Sequence, residues 1–318
     1  MTRLASIPAL AILFATAAAL AQTASTTPAR PDFSARPATQ PATAPAKARL
    51  RPGVTADQAA AAVKTFDKAM EHAKADRLLD ARGDLTAVLL GGHLDSGRES
   101  QAAAKLAEIA EKTLLSKDVY EGDPYTSVYK IAKGDSLTKV VAKQKLGVTH
   151  SFIQAINRID PNRLRVGQQI KLVGGTVHAA VSKSDFTMDL YLQMDGQPKA
   201  FLKRITVGLG KEDGTPAGSW EVLAKASRAK WTPPPSAVAT AAIEWGKPGY
   251  PLGRDGYWIA LVGTDDNTRR CTSYGVHGTN EPESIGKAAS LGCIRLADED
   301  IEFVYWVMSE KLSTIVVK

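Results

Sequence analysis

The sequence predicts a multidomain chain in which a small α-helical unit, a βααβ module and a mostly-β C-terminal domain follow one another. Three observations predict it: helical spacing of apolar residues over 55–120, a strand–helix–helix–strand succession over 127–174, and short strand-like runs punctuated by Pro and Gly over 175–318. At 318 residues, 44% hydrophobic and 23% charged, the chain has ordinary globular composition and is long for one core.

Residues 1–21 read as a secretory signal. Arg3 supplies the positive start, residues 9–20 the apolar run, and Ala19-Leu20-Ala21 a small-x-small cleavage site. The run is shorter than the roughly 20 apolar residues of a membrane helix. The expectation is therefore export to the periplasm or cell envelope and a soluble mature chain beginning near Gln22. No Cys follows closely, so a lipid-anchored start is not indicated. Residues 22–54 are Ala, Thr and Pro with isolated Arg, which predicts a disordered tether too poor in apolar area to form a core.

In the helical unit, 55–120, Val63, Phe66 and Met70 recur at helical spacing, and three helices are expected. Thr55 caps the first, Gly83 and the Gly91-Gly92 pair break the segment, and 98–115 forms the last. Its sequence leaves the partner of this unit open. In the next module a strand at 127–132 leads through Lys133-Gly134-Asp135 to a helix capped by Ser136 and reaching Lys145. Thr149 caps a second helix ending at Asn157, and a strand returns over 166–173. In the C-terminal domain, strands are expected at 177–181, 189–193, 205–208 and 257–261. A helix capped by Asp298 presents Ile301, Val304, Tyr305 and Met308 on one face.

The formal charge of +7 and pI near 9.3 come from scattered basic residues, not from the clustered Lys and Arg of a nucleic-acid binder. A solvated surface, or long-range attraction to an acidic polymer, fits that pattern. Only Cys271 and Cys293 are present, too few for a disulfide framework, and no ligands stand at zinc-like spacing. Neither a metal nor a cofactor is expected.

A lone reduced thiol in an exported chain is either buried or used. Cys293 lies in Ser290-Leu291-Gly292-Cys293-Ile294-Arg295, where Gly292 lets backbone approach a substrate and the charge of Arg295 favours thiolate. A thiol also needs a base, and His277, flanked by Gly278 at the end of a strand, is placed to serve. His72, His93, His150 and His178 lack partner chemistry and read as surface or cap residues.

Two resemblances extend this reading. Tyr129 to Leu137, Phe152, Ile153, Asn157 and Leu164 to Leu172 resemble a LysM domain. That resemblance implies binding of N-acetylglucosamine-containing glycan, peptidoglycan in bacteria, with Gly134, Asp135, Ser136, Leu137 and Asn157 as glycan-binding residues. His277-Gly278-Thr279-Asn280, then Ser290-Leu291-Gly292-Cys293-Ile294-Arg295, with Thr215-Pro216-Ala217-Gly218 upstream, resemble the YkuD-type L,D-transpeptidase signature.

The second resemblance implies Cys293 as nucleophile and His277 as proton donor and acceptor, its ring oriented by the Gly278 carbonyl. The N–H groups of Gly292 and Cys293 form the oxyanion hole, and Ser290 and Arg295 complete the pocket. The implied reaction takes a peptidoglycan tetrapeptide stem, releases the terminal D-alanine and passes the thioester to an amine of a neighbouring stem, giving a 3-3 cross-link. Carbapenem acylation of Cys293 is implied as well. Water as acceptor makes the same residues an L,D-carboxypeptidase, and an amine of another protein an anchoring transferase. The reading from another class, a non-catalytic wall-binding protein, is opposed by intact His277 and Cys293. Leu291 stands where the commonest motif has His, leaving one imidazole. Cys271 reads as a small buried hydrophobe, with a disulfide to Cys293 as the alternative. Trp231 and the prolines after it read as core packing or as a peptide-groove wall.

Overall fold

The computed structural model describes residues 49–234 and 241–318, so the expected signal and nearly all of the expected tether lie outside the described residues. Helices α1 (Ala56–Lys74), α2 (Leu78–Gly91) and α3 (Ser96–Thr113) form the helical unit. Thr55 and Gln58 make a reciprocal capping box at the start of α1, which satisfies two orphan donors. The break between α1 and α2 falls at Asp76, with φ 55°, and not at Gly83, which lies inside α2. One glycine inside a helix costs only about 1 kcal/mol and is outweighed here by the buried Leu78, Leu85 and Leu89. His72, expected at the surface, is buried facing Asp84 of α2, its Nδ1 3.6 Å from the carboxylate.

The last residues of the expected tether are held on the fold. Arg51 pairs with Glu99 of α3 at 2.8 Å and with Asp185 at 3.1 Å. Two carboxylates converging on one guanidinium are what the composition of 22–54 did not reveal.

Strands β1 (Thr126–Lys130) and β2 (Gln169–Val173) pair antiparallel around α4 (Leu137–Lys143) and α5 (His150–Asn157). The strand expected from 166 begins at Gln169, because Gly167, at φ 85°, turns the chain first.

The C-terminal part contains β3 (Thr176–Ser182), β4 (Thr187–Gln193), β5 (Ala200–Thr206), β6 (Leu209–Gly210) and β7 (Gly218–Ala226). It continues with β8 (Trp258–Gly263), β9 (Gly275–Gly278), β10 (Ala288–Ser290), β11 (Ile294–Leu296), α6 (Asp298–Val307) and β12 (Thr314–Val317). Eight of these strands form one sheet in the order β11-β9-β8-β7-β12-β3-β4-β5, while β10 pairs with β6 alone. Beyond β5 the chain crosses to the opposite edge, where Gly208 and Arg295 exchange both backbone hydrogen bonds at 2.8 Å. The expected strand at 205–208 is thus the end of β5 plus this crossing. Asp298 is not a cap but the first residue of α6, since its carboxylate accepts the Arg254 N–H at 3.0 Å.

The modules share their interiors. Phe152, Ile153 and Leu172 pack in the same core as Val177, Leu190, Trp220 and Ile315. Phe201 of β5 packs instead into the helical core beside Leu85 and Leu106. Arg204 of β5, paired with Asp189 of β4 and Glu99 of α3, adds a charged tie across that contact. Among the described residues, no helix is long and apolar enough to cross a membrane.

Candidate active site

Parallel pairing of β11 with β9 sets Ile294 against Val276 and Arg295 against His277. Side chains alternate along a strand, so with Val276 and Ile294 turned into the core, His277 and Arg295 share the opposite face. Trp258 of β8 is the register partner of His277 on the other side and stacks on its imidazole, with centroids 5.6 Å apart and planes at 21°. Cys293 immediately precedes β11, half-buried, with its sulfur 3.8 Å from the Ser273 carbonyl oxygen.

The turn carrying Cys293 is built by its neighbours. Gly292 has φ 140°, and a Cβ there would lie 2.8 Å from the Tyr274 ring and 2.9 Å from the Gly214 carbonyl oxygen. Glycine is required on both counts. Ser290 Oγ accepts the Gly292 N–H at 3.0 Å and donates to the Cys293 carbonyl at 2.7 Å. Thr215 donates to the Gly292 carbonyl and accepts the Gly210 N–H, each at 2.8 Å. The upstream Thr215-Pro216-Ala217-Gly218 segment therefore meets the cysteine turn in space.

Of the N–H groups expected near an oxyanion, that of Gly292 is directed to Ser290.

His277 is 7% exposed, and its Nδ1 lies 2.6 Å from the Gly278 carbonyl oxygen. A carbonyl only accepts, so Nδ1 carries the proton and Nε2 holds the lone pair. Burial pulls the imidazole down to about 4; the Gly278 carbonyl opposes the fall and the Arg295 charge adds to it. Burial also pushes the Cys293 thiol up, and this outweighs the opposing backbone hydrogen bond with Gly275 and the charge of Arg295. The resting pair is a neutral thiol and a neutral imidazole. Arg295 is itself engaged, 2.5 Å from Glu281, so it holds the loop after His277 and does not drive the cysteine to thiolate.

Both cysteines are free thiols. Cys271 packs at the margin of the main core, with its sulfur 3.7 Å from the Asn267 carbonyl. Leu291 is 59% exposed beside the turn that carries Cys293. A cleft of about 400 Å³ opens beside Thr279 and Asn280, walled by Trp245, Lys247, Tyr250, Arg254 and Asp298. Trp231 is not in that wall; its backbone pairs with Ile243. Among the described residues no cluster of His, Cys, Asp and Glu could hold a metal ion.

Sequence reasoning missed Thr215, Trp258, Tyr274 and Glu281 as supports of the site. Thr215 carried a signal in its Pro-Ala-Gly context; Trp258 became legible only through strand register.

In the βααβ module, the residues expected to bind glycan serve the fold. Asp135 accepts Tyr129 O–H and Ala132 N–H, both at 2.8 Å, and Ser136 caps α4. Leu137 is in the core, and Asn157 bonds Ile153 and both backbone groups of Lys171. Gly134 alone of the five is exposed. An open groove of about 540 Å³ lies instead along Ile159, Asp160, Arg163, Arg165, Val166 and Gln168. Of the other histidines, His150 is exposed at the start of α5 and His178 bonds Thr314 at 2.7 Å.

Comparison with known families decides the identity of both modules. Residues 176–317 match the L,D-transpeptidase catalytic domain, YkuD, and residues 129–173 match the LysM domain. The chain carries a LysM domain and a YkuD-type L,D-transpeptidase catalytic domain. A putative L,D-transpeptidase YkuD of Bacillus subtilis is 29% identical over 180 residues, which span 54% of this chain and 88% of that protein. The putative L,D-transpeptidase YqjB of the same organism is 35% identical over 101 residues, 31% of this chain and 51% of that one. The solved L,D-transpeptidase from Mycobacterium smegmatis covers 65% of this chain and 100% of its own at 15% identity, with a TM-score of 0.33. The multidomain layout of helices, LysM domain and mostly-β YkuD domain agrees with the fold class read from sequence.

Proposed function

We propose that the protein is an exported peptidoglycan L,D-transpeptidase in which Cys293 forms a thioester with the donor stem. The observation that carries this reading is the Nδ1 contact of His277 with the Gly278 carbonyl, which leaves Nε2 unprotonated on a strand paired with the one that Cys293 directly precedes.

Because thiol and imidazole both rest neutral, proton transfer accompanies attack. As the sulfur bonds to the carbonyl carbon of the third stem residue, Nε2 takes the thiol proton. The Cys293 N–H faces the developing oxyanion. Collapse breaks the amide to the terminal D-alanine, whose nitrogen receives that proton from His277. An uncharged amine of a neighbouring stem then attacks the thioester and gives a proton to Nε2. The sulfur leaves, recovers the proton, and a 3-3 cross-link remains. The thioester retains the energy of the broken amide, which suits an envelope without ATP. The LysM domain holds glycan through the groove beside Arg163 and Arg165, and no nucleic acid or cofactor takes part.

Mass spectrometry of disaccharide-tetrapeptide incubated with the chain, and with Cys293→Ala and His277→Ala variants, tests the proposal. Cross-linked dimer plus free D-alanine, lost in both variants, is the expected result. Tripeptide without dimer identifies water as the acceptor. Absence of any product, with glycan binding intact, favours a wall-binding protein.

A further inference from the structure

The LysM domain joins the catalytic sheet through Gly174 and Gly175, a pair that ordinarily acts as a swivel. Here the pair is packed shut. Gly174 donates its N–H to the Tyr125 carbonyl at 2.8 Å, and a Cβ on Gly175 would lie 2.6 Å from the Gln193 carbonyl oxygen. A Cβ on Gly147 of the LysM domain would come 2.1 Å from Thr176 Oγ1 at the first residue of the sheet.

Hydroxyls tie the same joint from the side. Ser309 donates to the Gly147 carbonyl at 2.8 Å, and Thr149 donates to the Trp306 carbonyl. Opposite, Lys171 of β2 is 2% exposed and gives its ammonium to the carbonyls of Thr113, Ser116 and Asp118 at 2.6, 3.1 and 2.8 Å. It thereby caps the end of α3, where the helix leaves its last carbonyls unpaired. The open groove at 159–168 uses none of these docking residues.

We propose that the LysM domain acts as a fixed gauge. Glycan seated in the 159–168 groove presents its stems to Cys293 at one distance and one orientation, so the enzyme selects stem positions along a polymer by geometry. A flexible tether would raise local concentration without selecting position. The inference rests on the transpeptidase reading and adds a determinant of which stems react.

Two measurements on the full chain test it. Spin labels at Val128→Cys and Leu223→Cys, both exposed positions, in a Cys271→Ser, Cys293→Ser background, are expected to give one narrow distance. A broad distribution overturns the gauge. A short Gly-Ser insertion between Gly174 and Gly175 is expected to lower cross-linking of polymeric peptidoglycan about tenfold or more, with the rate on soluble disaccharide-tetrapeptide unchanged. Equal polymer rates with and without the insertion overturn the proposal. Should the insertion lose the soluble activity too, it has damaged the fold, and Ser309→Ala, which removes the hydroxyl tie to the Gly147 carbonyl and leaves the helix caps intact, carries the same comparison. A wild-type chain inactive on both substrates overturns the transpeptidase reading and the gauge with it, while the label distance still reports the joint.

Discussion

The imidazole of His277 hydrogen-bonds the carbonyl of the next residue, Gly278, at 2.6 Å, so the backbone that carries the ring also fixes its tautomer. Many catalytic histidines are oriented by a separate carboxylate, which also stabilises the imidazolium. A carbonyl orients the ring with only a partial charge, which fits the low basicity that burial imposes here.

Burial raises Cys293 above its ordinary value, so alkylation by iodoacetamide is expected to be slow at neutral pH and to climb through the alkaline range. A reactivity plateau already reached below neutrality would mean a preformed thiolate and would contradict the neutral resting pair.

Acid stability follows from His277. Its ordinary value is 6.5 and its folded value about 4, so between these the unfolded chain binds a proton that the folded chain does not. The contribution is fully present above 6.5 and is lost as pH falls through 4. Its size is about 3 kcal/mol at roughly 1.4 kcal/mol per pH unit. Urea titrations of wild type and His277→Gln across this range are expected to show a shallower loss in the variant.

Ser290→Ala removes both bonds that shape the turn carrying Cys293. A loss of about 1–3 kcal/mol is expected from the unsatisfied Gly292 N–H. Because the turn also positions the sulfur, kcat is expected to fall by roughly 10- to 100-fold with KM little changed. A fall in KM-dependent binding alone would place Ser290 in substrate recognition.

Glu281 neutralises Arg295 at 2.5 Å, and Arg295 lowers the thiol of Cys293. Glu281→Gln is therefore expected to move the alkylation profile to lower pH, by less than about one unit. No movement, or movement upward, would show that the pair acts on the loop alone.

Gly292→Ala places a methyl against the Tyr274 ring and the Gly214 carbonyl at a φ of 140°. The expected outcome is loss of activity together with a lowered melting temperature. Tyr274→Ala in the same chain removes only the ring contact, so recovery is expected to be partial.

Local chemistry was legible in the sequence and long-range pairing was not. Thr55, Ser136 and Thr149 cap the helices their side chains announced, because capping involves only the next few residues. The break at Asp76 was hidden, since a left-handed non-glycine residue leaves no compositional mark. The strands β7 and β12 were missed, and what places them is long-range: β12 lies between β7 and β3, both remote from it in sequence. His277 and Cys293 were legible through their glycine-flanked motifs. What those motifs could not say is how Ser290 divides its hydroxyl, and so which N–H groups stay available for an oxyanion.

The exchange of hydrogen bonds between Gly208 and Arg295 has a bearing on how the proposed peptide substrate would reach Cys293. An open sheet edge recruits extended peptides by adding them as a further strand, reading the backbone more than the side chains. Here β11 is flanked by β9 on one side and by Gly208 on the other, so Arg295 has no vacant ladder positions to offer. Strand addition is closed off at Arg295, two residues from Cys293, so the proposed substrate would be gripped from above the sheet. That mode of grip tolerates residues of mixed handedness, whose side chains could not alternate regularly across a shared ladder.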